Sequence, residues 1–355
     1  MASFLDSKLA GSKKLRIGLD IGSSFLKAVA LEESRKDVVL YKFAIKDLPQ
    51  NAIADKDISD RETVIFTIQN LMEEIDPKAT DVVISVSGNK VFSDKITVKK
   101  QSKASALREQ VMTQAEERVP MGTEGVSIGY FPITDNDVGK NIDVELVAAR
   151  SDFIRSYVEL VHDAGYTVTA VDVDGLANFN AFANNYEISP ESVICLMDIG
   201  HSITNLVFII QGYFFSMRDI SIGMHSMWDS IQGELSFSND EMQNLMDGIY
   251  DTVDMEQFQD AVDVASGDLK VSLDTAFNYL ETITQGQMVS QIYLTGGGTL
   301  VPNMAQSIGA KMGLPAEIIN PFKDIVGDPS LFVDKPMEQF ASLYTVAMGM
   351  ALRAE

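Results

Sequence analysis

One unit occurs twice in this chain, and its recurrence dictates a duplicated architecture. Ile17-Gly-Leu-Asp20-Ile-Gly22-Ser-Ser24 and Ile194-Cys-Leu-Met-Asp198-Ile-Gly200-His-Ser202 each run an apolar strand into Asp, Ile, Gly and hydroxyl residues. A second apolar strand follows each time, Phe25–Leu31 and Ile203–Ile210. Two strands joined by a tight glycine turn read as a β-hairpin. The copies lie about half the chain apart, which predicts two related lobes facing one another.

The chemistry of the repeated turn is that of a phosphate clamp. Gly22 and Gly200 let the backbone approach an anion, and successive N–H groups form a nest for it. Ser23, Ser24, Ser202 and Thr204 add hydroxyl donors. Asp20 and Asp198 repel a phosphate directly but suit a Mg²⁺ held through water. Lys27 returns along the second strand as a point charge. A third piece, Leu294-Thr-Gly296-Gly297-Gly298, ends a strand in bare backbone suited to a flat nucleoside. No GxxxxGK[ST] loop is present and no GxGxxG follows the first strand, which disfavours a dinucleotide site.

Composition narrows the partners. Lys and Arg number 28 against 51 Asp and Glu, a net charge of −23. That argues against nucleic acid, which needs clustered cations, and against an anionic membrane as main partner. Hydrophobic residues make up 46% of the chain, enough for a sizeable core and too many for global disorder. A lone Cys195 and three His disfavour disulfides and structural zinc. The start resembles no signal peptide and no stretch approaches a membrane span, so the expectation is a soluble cytoplasmic protein.

Along the chain, 1–14 reads as a polar lead-in with Lys8, Lys13 and Lys14. Asp60–Ile75 has helical apolar spacing ended by Pro77. Residues 90–168 form a small α+β module, with Ser105 and Ser151 expected as helix caps. The stretch 238–270 carries nine acids and one Lys, a solvated helical region. The tail from Pro336 reads as a helix with a stripe at Phe340, Leu343, Tyr344, Ala347 and Ala351. Cys195 reads as a core thiol, and His201 as a structural or solvent-facing residue.

The order strand-Asp20-Ile-Gly, strand-Asp198-Ile-Gly and Thr-Gly296-Gly-Gly resembles the actin-like, sugar-kinase and heat-shock-ATPase superfamily. Within it the chain is similar to the PilM family of type IV pilus assembly. That narrower resemblance rests on Ile17–Val29, Glu116-Glu-Arg-Val-Pro120, Val147-Ala-Ala-Arg150, Ala164-Gly165, Ala170-Val-Asp172, Phe215–Gly223 and Met348–Arg353. It implies a two-lobed α/β fold of the actin-like, ribonuclease-H-like ATPase type. In that layout 15–89 is the first-lobe core, 90–168 its insert and 169–190 its return. Residues 191–237 and 271–335 are the second-lobe core, 238–270 its outer subdomain, and 336–355 a helix returning to the first lobe.

The resemblance also implies ATP and Mg²⁺ as ligands. Asp20 and Asp198 match the metal positions. Gly22, Ser23, Ser24, Lys27, Gly200, Ser202, Thr204, Gly296, Gly297 and Gly298 match the nucleotide positions. Asp268, Lys270 and Ser272 compete for the ribose contact, with Ser272 the one nominated. The catalytic acid of hydrolysing relatives falls near Val173, which leaves Asp172 or Asp174 for it and implies slow or no hydrolysis. The implied partner is the N-terminal cytoplasmic peptide of PilN, docked between first lobe and insert. Other inner-membrane platform proteins and the assembly motor ATPase join it, with membrane contact only through partners. The alternatives are a filament-forming division protein like FtsA or a small-molecule kinase of the same superfamily.

Overall fold

A computed structural model describes residues 15–33, 38–133, 140–246, 248–251, 253–333 and 340–353. The 1–14 lead-in and the helix start at Pro336 lie outside the described residues.

Two sheets share one strand order. The first is built from β1 (Leu15–Ile21), β2 (Phe25–Glu33), β3 (Val38–Asp47), β6 (Asp81–Val86) and β10 (Thr167–Val173). Between them come a two-residue pair, β4 (Ile53–Ala54) with β5 (Asp57–Ile58), and the helix α1 (Arg61–Ile75). The order β3-β2-β1-β6-β10 combines an antiparallel meander with two parallel strands, and β16 (Val326–Gly327) adds at the β3 edge. The second sheet repeats the scheme with β11 (Val193–Ile199), β12 (Thr204–Ile210), β13 (Tyr213–Ile220), β14 (Gln291–Thr295) and β15 (Ala316–Ile318), ordered β13-β12-β11-β14-β15. Strands β1 and β11 are buried along nearly their whole length because each is flanked on both edges and covered on both faces, which explains their continuous apolar runs.

Two helices connect the lobes. α4 (Asp174–Asn185) leaves the first sheet, and α10 (Thr345–Ala351) returns to it. They pack on each other so closely that a Cβ at Gly349 would lie 1.7 Å from the Ala177 carbonyl oxygen, and one at Gly18 would lie 2.0 Å from that of Ala347. Every residue of α10 is buried. The tail is therefore a core element, preceded by a 3₁₀ turn at Ala341–Tyr344, rather than a one-sided amphipathic helix.

The module between β6 and β10 holds a three-stranded antiparallel sheet, β7 (Val91–Lys99), β9 (Asn141–Arg150) and β8 (Val126–Pro132), covered by α2 (Ala104–Arg118). Its core is Ile96, Val98, Val111, Ala115, Val144 and Leu146. Helix α3 (Ser151–Asp163) instead joins the first-sheet core through Phe153, Tyr157, Leu160 and Val161. Neither expected cap is one. Lys103 and Arg150 hold the N-cap positions, with Ser105 and Ser151 inside the first turns, where the Ser151 hydroxyl bonds Ser127 at 2.9 Å. On the second lobe α5 (Met224–Leu235), α6 (Asn239–Met246), α7 (Met255–Ala265), α8 (Gly267–Thr284) and α9 (Met304–Met312) pack over β11, β12 and β14. The acidic stretch thus supplies solvent-facing helices over an apolar interior of Met242, Leu245, Phe258 and Leu269, and Cys195 is fully buried. Among the described residues no helix is long and apolar enough to cross a membrane.

Candidate functional site

Both repeated turns close in the same way. Gly22 N–H donates to the Phe25 carbonyl at 3.1 Å, and Gly200 N–H to that of Ile203 at 2.9 Å. At each position the tight turn leaves no room for a Cβ, so hairpin geometry alone already requires glycine. The hairpin tips face each other across the cleft, joined by Ser24 Oγ and His201 Nδ1 at 2.9 Å. His201 stacks on His225 with ring centroids 5.2 Å apart, and burial lowers its pKa. This places His201 between the lobes, a structural role with a specific partner. The Ser23 and Ser202 amides donate to no backbone acceptor among the described residues, as an anion nest needs.

The carboxylates of the cleft are already engaged. Lys27 Nζ lies 2.6 Å from Asp20 Oδ2, across the β1–β2 pair where the two residues are register partners. Asp198 ends β11 and accepts from Asn178 Nδ2 of α4 at 3.1 Å. Burial pushes its carboxyl up to about 6, partly offset by Asn178. The Gly-rich turn approaches the same group. Gly296 has φ +82°, and a Cβ there would sit 2.1 Å from Asp198 Oδ1. Gly297 begins a 3₁₀ turn rather than an α-helix, and Gly298 is fitted against the Ile199 side chain.

Asp172 and Asp174 have different environments. Asp172 pairs with Arg353, just beyond α10, at 2.8 Å and accepts from Val173 N–H. Burial raises its pKa against the pull of Arg353. Asp174 begins α4 at the cleft. Its Oδ1 accepts from Ser85 Oγ at 2.5 Å, and its Oδ2 lies 3.6 Å from Lys56 Nζ. Burial alone would raise Asp174, but Lys56, then Ser85 and Lys27, hold it below the usual carboxylate range. Neither Lys56 nor Asn178 was legible as a site residue. The available signal for Lys56 was a lysine in a two-residue turn.

Two sequence-nominated donors point elsewhere. Thr204 is buried with its hydroxyl donating to the Ile222 carbonyl at 2.8 Å. Ser272 donates to Asp268 within α8 at 3.1 Å, and Lys270 pairs with Asp274 on the same helix. Among the described residues no group of three or more His, Cys, Asp or Glu could hold a metal ion. A cavity of about 250 Å³ opens where β6, β7 and β10 meet β13, bordered by Ser87, Gly88, Phe92, Asp174, Met217 and Asp219. Gly88 N–H donates to Asp219 across its floor at 2.6 Å.

Two sheets of one strand order, facing hairpins and two crossing connector helices define an actin-like ATPase fold. The family model described as type IV pilus assembly protein PilM matches residues 18–355, and the chain belongs to that family. Among solved structures it is similar to a PilM-PilN type IV pilus biogenesis complex, with 22% identity, TM-score 0.83 and coverage of 96% of this chain and 98% of that one. It is also similar to the ethanolamine utilization protein EutJ from Carboxydothermus hydrogenoformans (12%, TM-score 0.57, 96% and 90% covered). MreB5 of Spiroplasma citri bound to ADP shares the fold at 11% identity and TM-score 0.52, with 95% and 94% covered.

Proposed function

We propose that the chain is an ATP-binding scaffold of the pilus inner-membrane platform, docking the N-terminal cytoplasmic peptide of a PilN-type protein and hydrolysing ATP slowly or not at all. The observation that carries this reading is the engagement of every cleft carboxylate by a protein partner: Asp20 by Lys27, Asp198 by Asn178, Asp172 by Arg353 and Asp174 by Lys56. A hydrolase that uses a carboxylate base needs that carboxylate free to take a proton from water. A binding protein does not.

The residues present fit a nucleotide. Gly22–Ser24 and Gly200–Ser202 offer amides from both sides, Lys27 a cation and Gly296–Gly298 a bare surface. Mg²⁺, when bound, neutralises the polyphosphate; Asp20 and Asp198 would hold it through water. The cavity where first lobe and insert meet β13 of the second lobe is the candidate groove for an extended peptide, and it shares Asp174 with the nucleotide cleft. The known PilM-PilN complex supports such a partner. Membrane location through that partner, contacts with further platform proteins and the motor ATPase, and first-lobe limits of 15–89 and 169–190 with α3 added belong to the same proposal.

The test is binding of a fluorescent ATP analogue, together with pull-down by PilN N-terminal peptides with and without Mg-ATP. Micromolar nucleotide binding and peptide capture are expected. No binding at millimolar ATP, or no capture in either state, overturns the proposal.

A further inference from the structure

We propose that Lys56 keeps this site silent: its ammonium occupies Asp174, the carboxylate placed to activate water, so Lys56 is a positioning residue that suppresses hydrolysis. The inference rests on the ATP-binding reading above and extends it to regulation.

The geometry around Lys56 is held by surrounding structure. Asp55 and Lys56 form the two-residue turn between β4 and β5, with φ of 49° and 66°. Such turns favour Asn-Gly, since both residues must enter the left-handed region. For residues bearing a Cβ this is strained and persists only where neighbours impose it. Here the neighbour is Tyr157 of α3, buried in the first-sheet core, whose hydroxyl donates to the Lys56 carbonyl at 3.0 Å. The clamped turn sends Lys56 inward, with its side chain 18% exposed and its ammonium 3.6 Å from Asp174 Oδ2. Ser85 occupies Oδ1 from the other side. A strained lysine turn aimed at a buried carboxylate is a feature that packing alone does not require.

In hydrolysis the water oxygen bonds to the γ-phosphorus as the bond to the β–γ bridging oxygen breaks. That oxygen keeps the electron pair and leaves with ADP, while the water proton passes to a base. Asp174 can be the base only with a free lone pair and a proton affinity near the working pH. Lys56 denies both. The charged and titratable groups around Asp174 are Lys56, Lys27, Asp172, Asp198, Asp219 and Tyr157. Lys56 is the strongest of those that hold its proton affinity down.

The experiment compares single-turnover ATP hydrolysis in wild type, Lys56→Met, Lys56→Arg, Tyr157→Phe and the Lys56→Met/Asp174→Asn double variant. Binding of a fluorescent ATP analogue is measured alongside. Lys56→Met should accelerate hydrolysis about ten- to hundredfold, with an ascending pH limb that the double variant loses. Lys56→Arg should stay slow. Tyr157→Phe, which frees only the turn, should fall between, and it carries the test if Lys56→Met does not fold. Independently of nucleotide, the Asp174 carboxyl followed by ¹³C NMR should titrate at higher pH in Lys56→Met. A Lys56→Met variant that binds the analogue as wild type does yet hydrolyses no faster, or, should it not fold, a Tyr157→Phe variant of which the same is true, overturns the Lys56 role alone. A wild type that binds no ATP analogue overturns the nucleotide reading itself.

Discussion

Replacing Glu145 by Gln should stabilise the protein by an amount that grows with pH. Glu145 lies on β9 with 1% of its surface exposed, opposite Lys95 of β7 in the strand register. Its β9 neighbours Val144 and Leu146 point into the insert's own core, so Glu145 faces the other way, towards the second lobe. On that face Lys95 sits 3.9 Å over the Phe215 ring of β13 and pairs with Asp143 at 3.1 Å. The ammonium nearest Glu145 is thus shared with other partners, and Glu145 Oε2 has no hydrogen-bond partner among the described residues. Burial pushes this carboxyl from 4.5 up to about 8, with Asp94 adding to the rise and the Ser93 hydroxyl and Lys95 opposing it.

The sign follows from proton counting. Between pH 4.5 and about 8 the folded state holds the Glu145 proton more tightly than the unfolded chain does. Stability is then lost as pH rises through that window and levels off above it. At about 1.4 kcal/mol for each tenfold change in proton affinity, the ceiling is on the order of 5 kcal/mol. The assay is thermal melting of wild type and Glu145→Gln from pH 4 to 9, with amide exchange of β7 and β13 as the local readout. The difference in melting temperature should be near zero in acid and reach several °C at pH 8–9. A difference that does not change with pH would refute the argument, because an uncharged packing effect has no reason to titrate.

Three further outcomes follow from close contacts. Gly349→Ala drives a methyl group into the Ala177 carbonyl at the crossing of α4 and α10, and should cost at least about 3 kcal/mol in urea unfolding; an unchanged midpoint would show that the helices can part. Gly296→Ala combines a positive φ with a collision on Asp198, so ATP-analogue affinity should fall more than tenfold and stability by about 1–3 kcal/mol. Arg353→Ala leaves Asp172 buried without its cation, and should cost about 1–3 kcal/mol near neutrality. That loss should shrink in acid, where Asp172 is protonated both folded and unfolded; a loss that persists undiminished at low pH would point to packing instead.

What the sequence revealed and what it hid divide along a physical line. The two Asp-Ile-Gly hairpins were legible because a tight turn between buried strands leaves its whole signature in a few contiguous residues. Helix α1 was legible too, since its six buried residues recur at helical spacing. The stripe over Leu343, Tyr344, Ala347 and Ala351 was legible, but not that α10 is buried on all sides, because a helix without a polar face has no edge to its stripe. Ser105 and Ser151 misled because a serine in the first turn and a serine before it look alike in one dimension. The site behaved in the same manner. Asp20 and Lys27 are strand partners across one hairpin, so their pairing follows from the local register. Lys56 and Asp174 meet only because α3 anchors the β4–β5 turn through Tyr157 and β10 delivers Asp174 to the start of α4. The ion pair inside a hairpin is thus written locally, whereas the cation that reaches Asp174 is delivered by an element distant in the chain.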